Sequence, residues 1–465
     1  MKTTPTRIDQ VMQAVRSRIA ARAYSPGMRL PSVRAQAQAM GFSVSTIVEA
    51  YERLAAEGLI EARRGSGFYV AGPLAPLALA ALEPALDREV DPLWVSRQSL
   101  EADSAMLMPG CGWLPPDWMY DEGLRRALRK AARAPAAELT DYGSPLGLEP
   151  LRQVLARRLA NLDIDAAPDQ IMLTDSGTQA IDLICRFLLK PGDTVLVDDP
   201  CYFNFHAMLR AHRAKAVGVP YTPQGPDLAA FETALREHAP RLYITNSGIH
   251  NPTGARLSAA AAHKLLALAQ GTDLVIIEDD IFGDFETRPA SRLAAFDGLS
   301  RVIQIGSFSK TLSASLRCGY IAAQAPWMDS LVDLRTATSF SSNRLAAQVL
   351  MTALTDSGYR KHLEHVRHRL SQAMDKTLTR LHALDLQPWT RPRAGMFVWA
   401  RLPTGQDAVA LARACLKHGV VLAPGPAFSQ APQASRFLRF NVAQSMDPRV
   451  FQVLERALAE GLPAA

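Results

Sequence analysis

Cysteine is scarce in this sequence, and its spacing excludes two kinds of cross-linked protein. The five cysteines are odd in number, scattered along 465 residues and never arranged as CxxC. Neither a disulfide framework nor a zinc site is therefore expected, and no other metal site is indicated. This usage of cysteine is typical of a reducing cytoplasm, where we expect the protein to reside.

Long apolar runs are also missing. The first 15 residues contain no apolar core of the signal-peptide type, and the longest candidate run, GPLAPLALAALEPAL, is interrupted by three prolines. That run is too short to cross a bilayer as a helix. We therefore expect neither export nor membrane insertion.

Acidic residues are few at the N-terminal end. Residues 1–72 hold ten Lys and Arg against five Asp and Glu, which is +5 of the whole chain's net charge of +6. A domain that faces a polyanion shows such an excess, although an ordinary basic surface is an alternative. The overall composition is that of a soluble globular protein, and the length predicts two or three domains.

Residues 1–72 show the pattern helix, turn, helix, hairpin. Apolar residues at helical spacing predict a first helix within residues 6–23. Ser32 is a good N-cap for a second helix that ends at Gly41, and Ser43 caps a third helix. The following stretch, LIEARRGSGFYV, alternates around a Gly-Ser-Gly turn and predicts a two-stranded wing.

Side chains for DNA contact can be placed on this pattern. In a helix-turn-helix unit the second helix enters the major groove with its N-terminal side chains toward the base edges. The side chains in that position are Ser43, Ser45 and Thr46. Arginines suited to phosphates or the minor groove lie at the start of the preceding helix and in the wing, and they are Arg34, Arg63 and Arg64.

The run LPSVRAQAQAMGFSVSTIVEAYERLAAEGLIEARRGSGFYV resembles the GntR family of winged helix-turn-helix regulators. The resemblance implies that this domain binds double-stranded operator DNA. Many relatives carry Arg directly after the serine of the turn, whereas this chain has Val44, so one phosphate or base contact is expected to be missing. In the alternative, the small domain has lost its DNA contacts and only mediates assembly.

The rest of the chain divides into a linker and an α/β region. Residues 73–104 are rich in Ala, Leu and Pro and lack a long periodic stretch, so we expect a linker. Within residues 105–465, apolar strands alternate with amphipathic helices from about residue 140, which predicts a mainly parallel sheet wound on both faces. A helical region and the apolar run MFVWARL predict a smaller α+β subdomain over about 345–465.

Several polar residues follow the predicted strands, where open α/β sheets bind ligands. Lys310 comes directly after the strand VIQIGSF, and Asp279 ends the strand DLVIIED. Gly177 and Thr178 begin a helix after a strand, where backbone N–H groups can hold phosphate. An electrophilic aldehyde cofactor needs a lysine, a phosphate cradle and an acid for its ring nitrogen. Each residue alone is also typical of a solvated strand end, so the prediction depends on the set.

Two further residues complete this set. Asn251, in HNPTG, is available to a ring hydroxyl, and Tyr202, after Asp199-Pro200, can stack on a ring face. Together the residues resemble those of fold type I, aspartate aminotransferase-like enzymes over roughly residues 105–460. That resemblance implies pyridoxal 5′-phosphate as cofactor, held as a Schiff base on Lys310, with Asp279 on the ring nitrogen and Asn251 on the ring hydroxyl.

The same resemblance implies further roles. The phosphate cup would be formed by Gly177, Thr178, Ser307 and Arg317. Tyr142 would reach the phosphate of the neighbouring subunit, and Arg439, in FLRFNVA, would clamp a substrate α-carboxylate bidentately.

A GntR-type head before an aminotransferase-like body resembles the MocR subfamily of transcriptional regulators. The resemblance implies a domain-swapped homodimer, associated with the nucleoid when bound to DNA, whose large domain senses pyridoxal phosphate itself, an amine or an amino acid. An active aminotransferase with a vestigial head is the main alternative, and a cofactor-free scaffold is a third. Relatives usually place a tyrosine shortly after the ring-nitrogen aspartate, whereas this chain has Ile281 and Phe282. We therefore expect slow or incomplete transamination, because a hydrogen bond to the cofactor's phenolic oxygen would be lost.

Overall fold

The computed structural model describes residues 6–20, 24, 27–63, 65–71, 100 and 105–460. The chain divides into two units, Met1–Asp87 and Arg88–Ala465. The predicted linker, 73–104, lies outside the described residues apart from Leu100. Within the described part of the chain, no helix is long and apolar enough to cross a membrane.

The first unit is a three-helix domain with a hairpin, which confirms the winged helix-turn-helix prediction. Its elements are α1 (Arg7–Ala20), α2 (Val33–Met40), α3 (Val44–Ala56), β1 (Ile60–Arg63) and β2 (Gly67–Val70). The two strands pair antiparallel, with Ile60 opposite Val70. Helices α1 and α3 share one core, to which α3 contributes the fully buried side chains of Ile47, Tyr51 and Leu54.

Two serines and a glycine determine the turn between α2 and α3. The Ser32 hydroxyl accepts a hydrogen bond from the Ala35 N–H and begins α2. Gly41 ends that helix with a φ of 68°, a left-handed conformation that costs glycine little. The Ser43 hydroxyl then accepts the Thr46 N–H at 3.2 Å and begins α3. These caps agree with the sequence-based helix ends.

The second unit contains a large sheet of eight strands. They are β3 (Ile171–Thr174), β4 (Thr194–Asp199), β5 (Lys215–Thr222), β6 (Gly225–Pro226), β7 (Leu242–Thr245), β8 (Val275–Asp279), β9 (Val302–Ser307) and β10 (Gly319–Ala322). The spatial order is β3-β10-β9-β8-β7-β4-β5-β6. Strands β5, β4, β7, β8 and β9 pair in parallel, whereas β10 is antiparallel to both β3 and β9. The mainly parallel sheet is confirmed, but β10 was not predicted.

Helices cover both faces of this sheet. They are α4 (Asp121–Ala131), α5 (Ala136–Thr140), α6 (Glu149–Ala160), α7 (Gly177–Leu188), α8 (Phe203–Ala211), α9 (Leu228–His238), α10 (Ala259–Ala269), α11 (Leu293–Asp297), α12 (Ala325–Ser339) and α13 (Arg344–Leu354). Successive residues of a strand enter opposite cores: Ile276 packs with α6, α9, α10 and α13, and Ile277 with α7, α8 and α12. A strand that is buried on both faces needs apolar side chains on both, so its sequence is a nearly continuous apolar run, as in DLVIIED.

A second, smaller sheet lies toward the C-terminus. Its elements and surrounding helices are α14 (Ser357–Ala383), β11 (Gln387–Pro388), β12 (Phe397–Arg401), α15 (Ala408–Lys417), β13 (Ala423–Pro424), β14 (Phe437–Asn441) and α16 (Pro448–Ala459). The strands are antiparallel in the order β11-β12-β14-β13. The predicted subdomain, about 345–465, includes both these elements and helix α13. Helix α13 packs in the core of the large sheet, whereas α14 contributes to the second core from Val366 onward.

Candidate functional site

The carboxyl ends of five strands meet at one edge of the large sheet. Strands β3, β4, β7, β8 and β9 run in the same direction, so the residues that follow them converge. The structure brings eight of the predicted residues together around one cavity of about 180 Å³: Gly177, Thr178, Tyr202, Asn251, Asp279, Lys310, Arg317 and Arg439.

A larger cleft of about 680 Å³ lies beside this cavity and shares Ile281 with it. Of the predicted site residues, only Ser307 lines the cleft. Its charged side chains already have partners, as in the ion pair between Arg158 and Asp284. The smaller cavity is therefore the better candidate for chemistry, because its polar groups converge.

The start of α7 forms one end of the cavity. The Ser176 hydroxyl caps α7 by accepting the Gln179 N–H, which leaves the N–H groups of Gly177 and Thr178 without partners within the helix. A Cβ on Gly177 would lie 3.7 Å from that of Ser307, so this serine adjoins the helix start. Such a helix start attracts an anion through its N–H groups and the helix dipole.

Ser307 and Arg317, the two other residues predicted to hold the phosphate, differ in burial. The Ser307 side chain is buried, with its hydroxyl 3.0 Å from that of Ser309, which lines the cavity. Sequence reasoning missed Ser309, although it stands directly before Lys310. Arg317 is exposed, and its φ of 51° is uncommon for a residue other than glycine. Backbone strain of this kind concentrates at functional sites.

Asp279 is the last residue of β8 and is buried at the floor of the cavity. Its Oδ1 accepts the Ile281 N–H at 3.1 Å, and its backbone carbonyl accepts the Asn246 side-chain amide at 2.9 Å. Burial raises the pKa of the Asp279 carboxyl to about 6. A cationic group beside it would favour the ionised carboxylate, so the site is suited to a protonated ring nitrogen.

Lys310 follows β9 and is half-buried in the cavity wall. Desolvation lowers the pKa of its amine to about 8, and the positive charge of Arg439 acts in the same direction. A larger share of the amine is therefore neutral near pH 7 than for an exposed lysine, and the neutral amine is the form that attacks a carbonyl.

Arg439, on β14, is almost completely buried and has no acidic partner among the described residues. Its Nη1 donates to Oδ1 of Asn251 at 2.9 Å, and its Nη2 donates to the Gly110 carbonyl at 2.6 Å. The guanidinium carbon lies over the rings of Phe397 and Phe428, 4.4 and 4.7 Å from their centroids. Its Nε has no hydrogen-bond partner. A buried cation without a counter-ion is costly, so the arrangement fits an anionic ligand.

Gly112 is a site residue that sequence reasoning missed. A Cβ built on Gly112 would lie 3.9 Å from both Lys310 Nζ and Arg439 Nη2. The two cationic groups are therefore no more than about 8 Å apart, and Gly112 adjoins the gap that separates them. A molecule with an amine and a carboxylate a short distance apart fits this gap. No sequence motif signalled the residue, because its position depends on the approach of two distant segments.

The chain matches the profile of the aminotransferase class I and II family over residues 117–457, and that of the gntR family of bacterial regulatory proteins over residues 7–70. The chain belongs to the aminotransferase class I and II family. With the gntR-type unit before it, the domain order is the MocR-type architecture predicted above.

This MocR-type chain resembles both transcriptional regulators and aminotransferases. It is 31% identical to the HTH-type transcriptional regulator YdcR of Escherichia coli (strain K12), over 96% of this chain and 97% of that one. It is also 31% identical to 2-aminoadipate transaminase of Thermus thermophilus, over 71% and 84% of the two chains. The crystal structure of LysN, an α-aminoadipate aminotransferase from Thermus thermophilus, superposes with a TM-score of 0.72 at 27% identity, covering 79% and 94%.

The cofactor of this family is pyridoxal 5′-phosphate, and the cavity of the MocR-type chain fits it. The α7 start and Arg317 suit a phosphate, Asp279 suits a ring nitrogen, and Lys310 is an amine within the same cavity. When bound, the cofactor supplies an aldehyde that condenses with a primary amine and a conjugated ring that accepts electrons. The Asn251 Oδ1 accepts from Arg439 and orients the side chain, and its side-chain N–H groups can donate to a ring oxygen.

Relatives usually place a tyrosine shortly after the aspartate that corresponds to Asp279. In this MocR-type chain, apolar residues take its place in the cavity wall. Ile281 and Phe282 both line the cavity, and Phe282 packs edge-on against Phe397, with ring centroids 5.2 Å apart. Neither side chain carries a hydroxyl. The wall beside Asp279 is therefore apolar where a hydrogen-bond donor was expected from relatives.

Tyr142 does not lie in the cavity of its own chain. The side chain is 76% exposed and contacts Phe340, with ring centroids 4.8 Å apart. An exposed tyrosine at this position agrees with the expectation that it acts on a neighbouring subunit, which stays a prediction.

The gntR-type unit is a DNA-binding domain, and its described candidate residues lie on the surface. Ser43, Ser45 and Arg34 are exposed, and Thr46 is half-buried. The Ser43 hydroxyl is 2.9 Å from that of Ser45 and 2.7 Å from that of Thr46, in addition to its capping role. In the wing, the Arg63 guanidinium pairs with Glu61 and lies over the Tyr69 ring. Arg64 lies outside the described residues.

Proposed function

We propose that the protein is a DNA-binding transcriptional regulator whose large domain holds pyridoxal 5′-phosphate on Lys310 and responds to an amine that carries a carboxylate. The buried guanidinium of Arg439 supports this proposal most directly. It faces the cavity that contains Lys310, and it has no acidic partner among the described residues. A protein that bound the cofactor alone would not need this costly cation.

Each residue of the cavity has a role in this proposal. Gly177, Thr178, Ser307 and Arg317 hold the phosphate, and Asp279 keeps the ring nitrogen protonated. Tyr202 packs against the ring, and Asn251 donates to the ring hydroxyl while it orients Arg439. When an external amine replaces Lys310 on the cofactor, the released Nζ would accept and donate protons within the cavity. Arg439 then binds the carboxylate of that amine through two parallel N–H donors.

Two further features belong to the proposal. The active form is a cytoplasmic homodimer, with Tyr142 of each chain reaching the neighbouring site. The ligand changes operator binding, because it has different affinity for two arrangements of the dimer. We also infer slow transamination, since the apolar side chains of Ile281 and Phe282 provide no hydrogen bond to a phenolic oxygen. Several relatives are named as transcriptional regulators, and this supports a regulatory role for the chain.

DNA binding is tested by replacing Arg34 with alanine. Arg34 is exposed in the first turn of α2, and we expect it to contact a backbone phosphate. Loss of one phosphate contact should weaken binding about tenfold at 0.1 M salt, similarly for all duplex sequences, and should reduce the salt-dependence slope by about 1 per bound subunit. Fluorescence anisotropy with a labelled duplex at several salt concentrations measures both quantities.

The matched control is Arg360→Ala, which removes an equal charge from an exposed position on α14. We expect that variant to bind DNA like the wild type. If Arg34→Ala left the slope unchanged, or lost affinity for one sequence only, Arg34 would not be a phosphate contact.

A further inference from the structure

Val44 is an exposed apolar residue at the first position of α3. Its side chain is 50% exposed, and it directly follows the capping residue Ser43. In the same helix, Ile47, Tyr51 and Leu54 are fully buried in the core of the first unit, whereas Val44 neither forms nor adjoins that core as far as the structure describes it. Packing within the unit therefore does not account for an apolar side chain at this position.

The two ends of α3 differ in charge. The first five residues of the helix are uncharged, and the charged side chains Glu49, Glu52 and Arg53 follow them. Phosphates repel carboxylates and attract the positive end of the helix dipole, which lies at the N-terminus. Residues 1–72 also hold ten Lys and Arg against five Asp and Glu. Both observations favour a contact between DNA and the N-terminal end of α3, as in other helix-turn-helix units.

The hydroxyl groups beside Val44 are largely occupied with one another. The Ser43 hydroxyl accepts the Thr46 N–H, and it lies 2.9 Å from the Ser45 hydroxyl and 2.7 Å from the Thr46 hydroxyl. Each of these two hydroxyl contacts uses one O–H proton, so only one of the three protons is left to donate to a base edge. Hydroxyl groups also bind donors and acceptors alike, so this cluster distinguishes base pairs poorly.

Val44 can distinguish base pairs in a way that the hydroxyl groups cannot. In the major groove, thymine presents a C5-methyl group, whereas the edges of guanine, adenine and cytosine present hydrogen-bonding groups. Contact between the valine side chain and this methyl removes apolar surface of both from water. A polar base edge against Val44 would instead lose its water without gaining a hydrogen bond, which is unfavourable.

We propose that Val44 enters the major groove of the operator and contacts the C5-methyl group of a thymine, so that it determines which base pair is bound there. The partner is double-stranded DNA with a T·A pair at this position of each half-site. This inference rests on the proposed function for DNA binding alone. It does not depend on the cofactor or on the ligand of the large domain.

The first test removes the methyl group from the DNA. A duplex is selected from a random pool by the wild type, and each thymine is replaced in turn by deoxyuridine, which lacks only that methyl. Fluorescence anisotropy measures the Kd of each duplex. We expect one thymine in each half-site at which the replacement weakens wild-type binding by about fourfold, and Val44→Ser to lose less than about twofold there.

Met28→Ser is the matched control, because Met28 is another apolar residue of the first unit, with a side chain that is 44% exposed. This variant should show the same fourfold loss at the same thymine as the wild type. A second comparison uses cytosine and 5-methylcytosine at that position, since these two bases also differ only in the methyl. The wild type should bind the methylated duplex about fourfold more tightly, and Val44→Ser should bind both duplexes alike.

A change of specificity provides an independent test. Val44→Arg places a guanidinium at the start of α3, and arginine binds guanine through O6 and N7 in the major groove. Selection from the same random pool should therefore give guanine in place of thymine at the position that responds to deoxyuridine. The rest of the selected sequence should stay the same.

Each contrary outcome is distinct. A selected duplex in which every thymine tolerates deoxyuridine would overturn the methyl contact. A Val44→Ser protein that keeps the fourfold loss, or a Val44→Arg protein that still selects thymine, would mean that another residue binds this base pair. A wild type that binds all duplexes alike would overturn the inference but not DNA binding. If the wild type bound no DNA at all, the proposed function itself would fail.

Discussion

Replacement of Lys310 by alanine is expected to abolish covalent attachment of pyridoxal phosphate. Lys310 lines the cavity, and desolvation lowers the pKa of its amine to about 8, which favours the neutral, nucleophilic form. The wild type should show a visible absorption band, and borohydride should convert the cofactor into a permanent adduct with the chain. The variant should show neither the band nor the adduct by mass spectrometry.

Lys264→Ala provides the control for this experiment, because Lys264 is exposed on α10, away from the cavity. That variant should keep the band and the adduct in full. If Lys310→Ala still formed the adduct, a different lysine would hold the cofactor. If the wild type stayed colourless with added pyridoxal phosphate, the cofactor-based mechanism would be wrong.

Replacement of Arg439 by leucine is expected to weaken amino-acid binding by about 100-fold or more while the cofactor stays attached. The guanidinium is fully buried, and removal of one partner of a buried charged pair costs about 2–5 kcal/mol. Arg439→Lys should give an intermediate loss, because lysine keeps the charge but not the two parallel donors. Titration of the cofactor's absorption spectrum with L-leucine measures the effect.

3-Methylbutylamine, which is leucine without its carboxylate, separates the carboxylate contact from general damage to the cavity. Wild type and Arg439→Leu should bind this amine with similar affinity. An equal loss of affinity for leucine and for the amine would mean that Arg439 supports the cavity and does not bind a carboxylate.

Lys310 and Asp279, which line the cavity, were accessible to sequence reasoning, because each occupies a fixed place relative to a strand end. Lys310 and Asp279 follow apolar runs that could only be buried strands, and parallel strands bring their carboxyl ends to one edge. The first unit was predictable for a similar reason, since Ser32, Gly41 and Ser43 act on helix ends within a few residues of themselves.

Other features depend on contacts between distant segments and could not be predicted. Gly112 matters because β14 brings Arg439 beside it, more than 300 residues along the chain. Strand β10 is defined by its antiparallel pairing with β3 and β9, and α13 joins the large core through apolar side chains whose spacing does not indicate which core they enter. The positive φ at Phe340 has no sequence signal, because phenylalanine rarely adopts such a conformation.

The central claim is that a ligand in the Lys310 cavity changes the affinity for DNA. Its most direct test is fluorescence anisotropy with a duplex selected by the wild type from a random pool, using cofactor-loaded protein with and without saturating L-leucine. We expect the Kd for DNA to change about fivefold or more in the wild type and to stay constant in Lys310→Ala. Equal Kd values with and without ligand in a wild type whose spectrum does respond to leucine would contradict the claim.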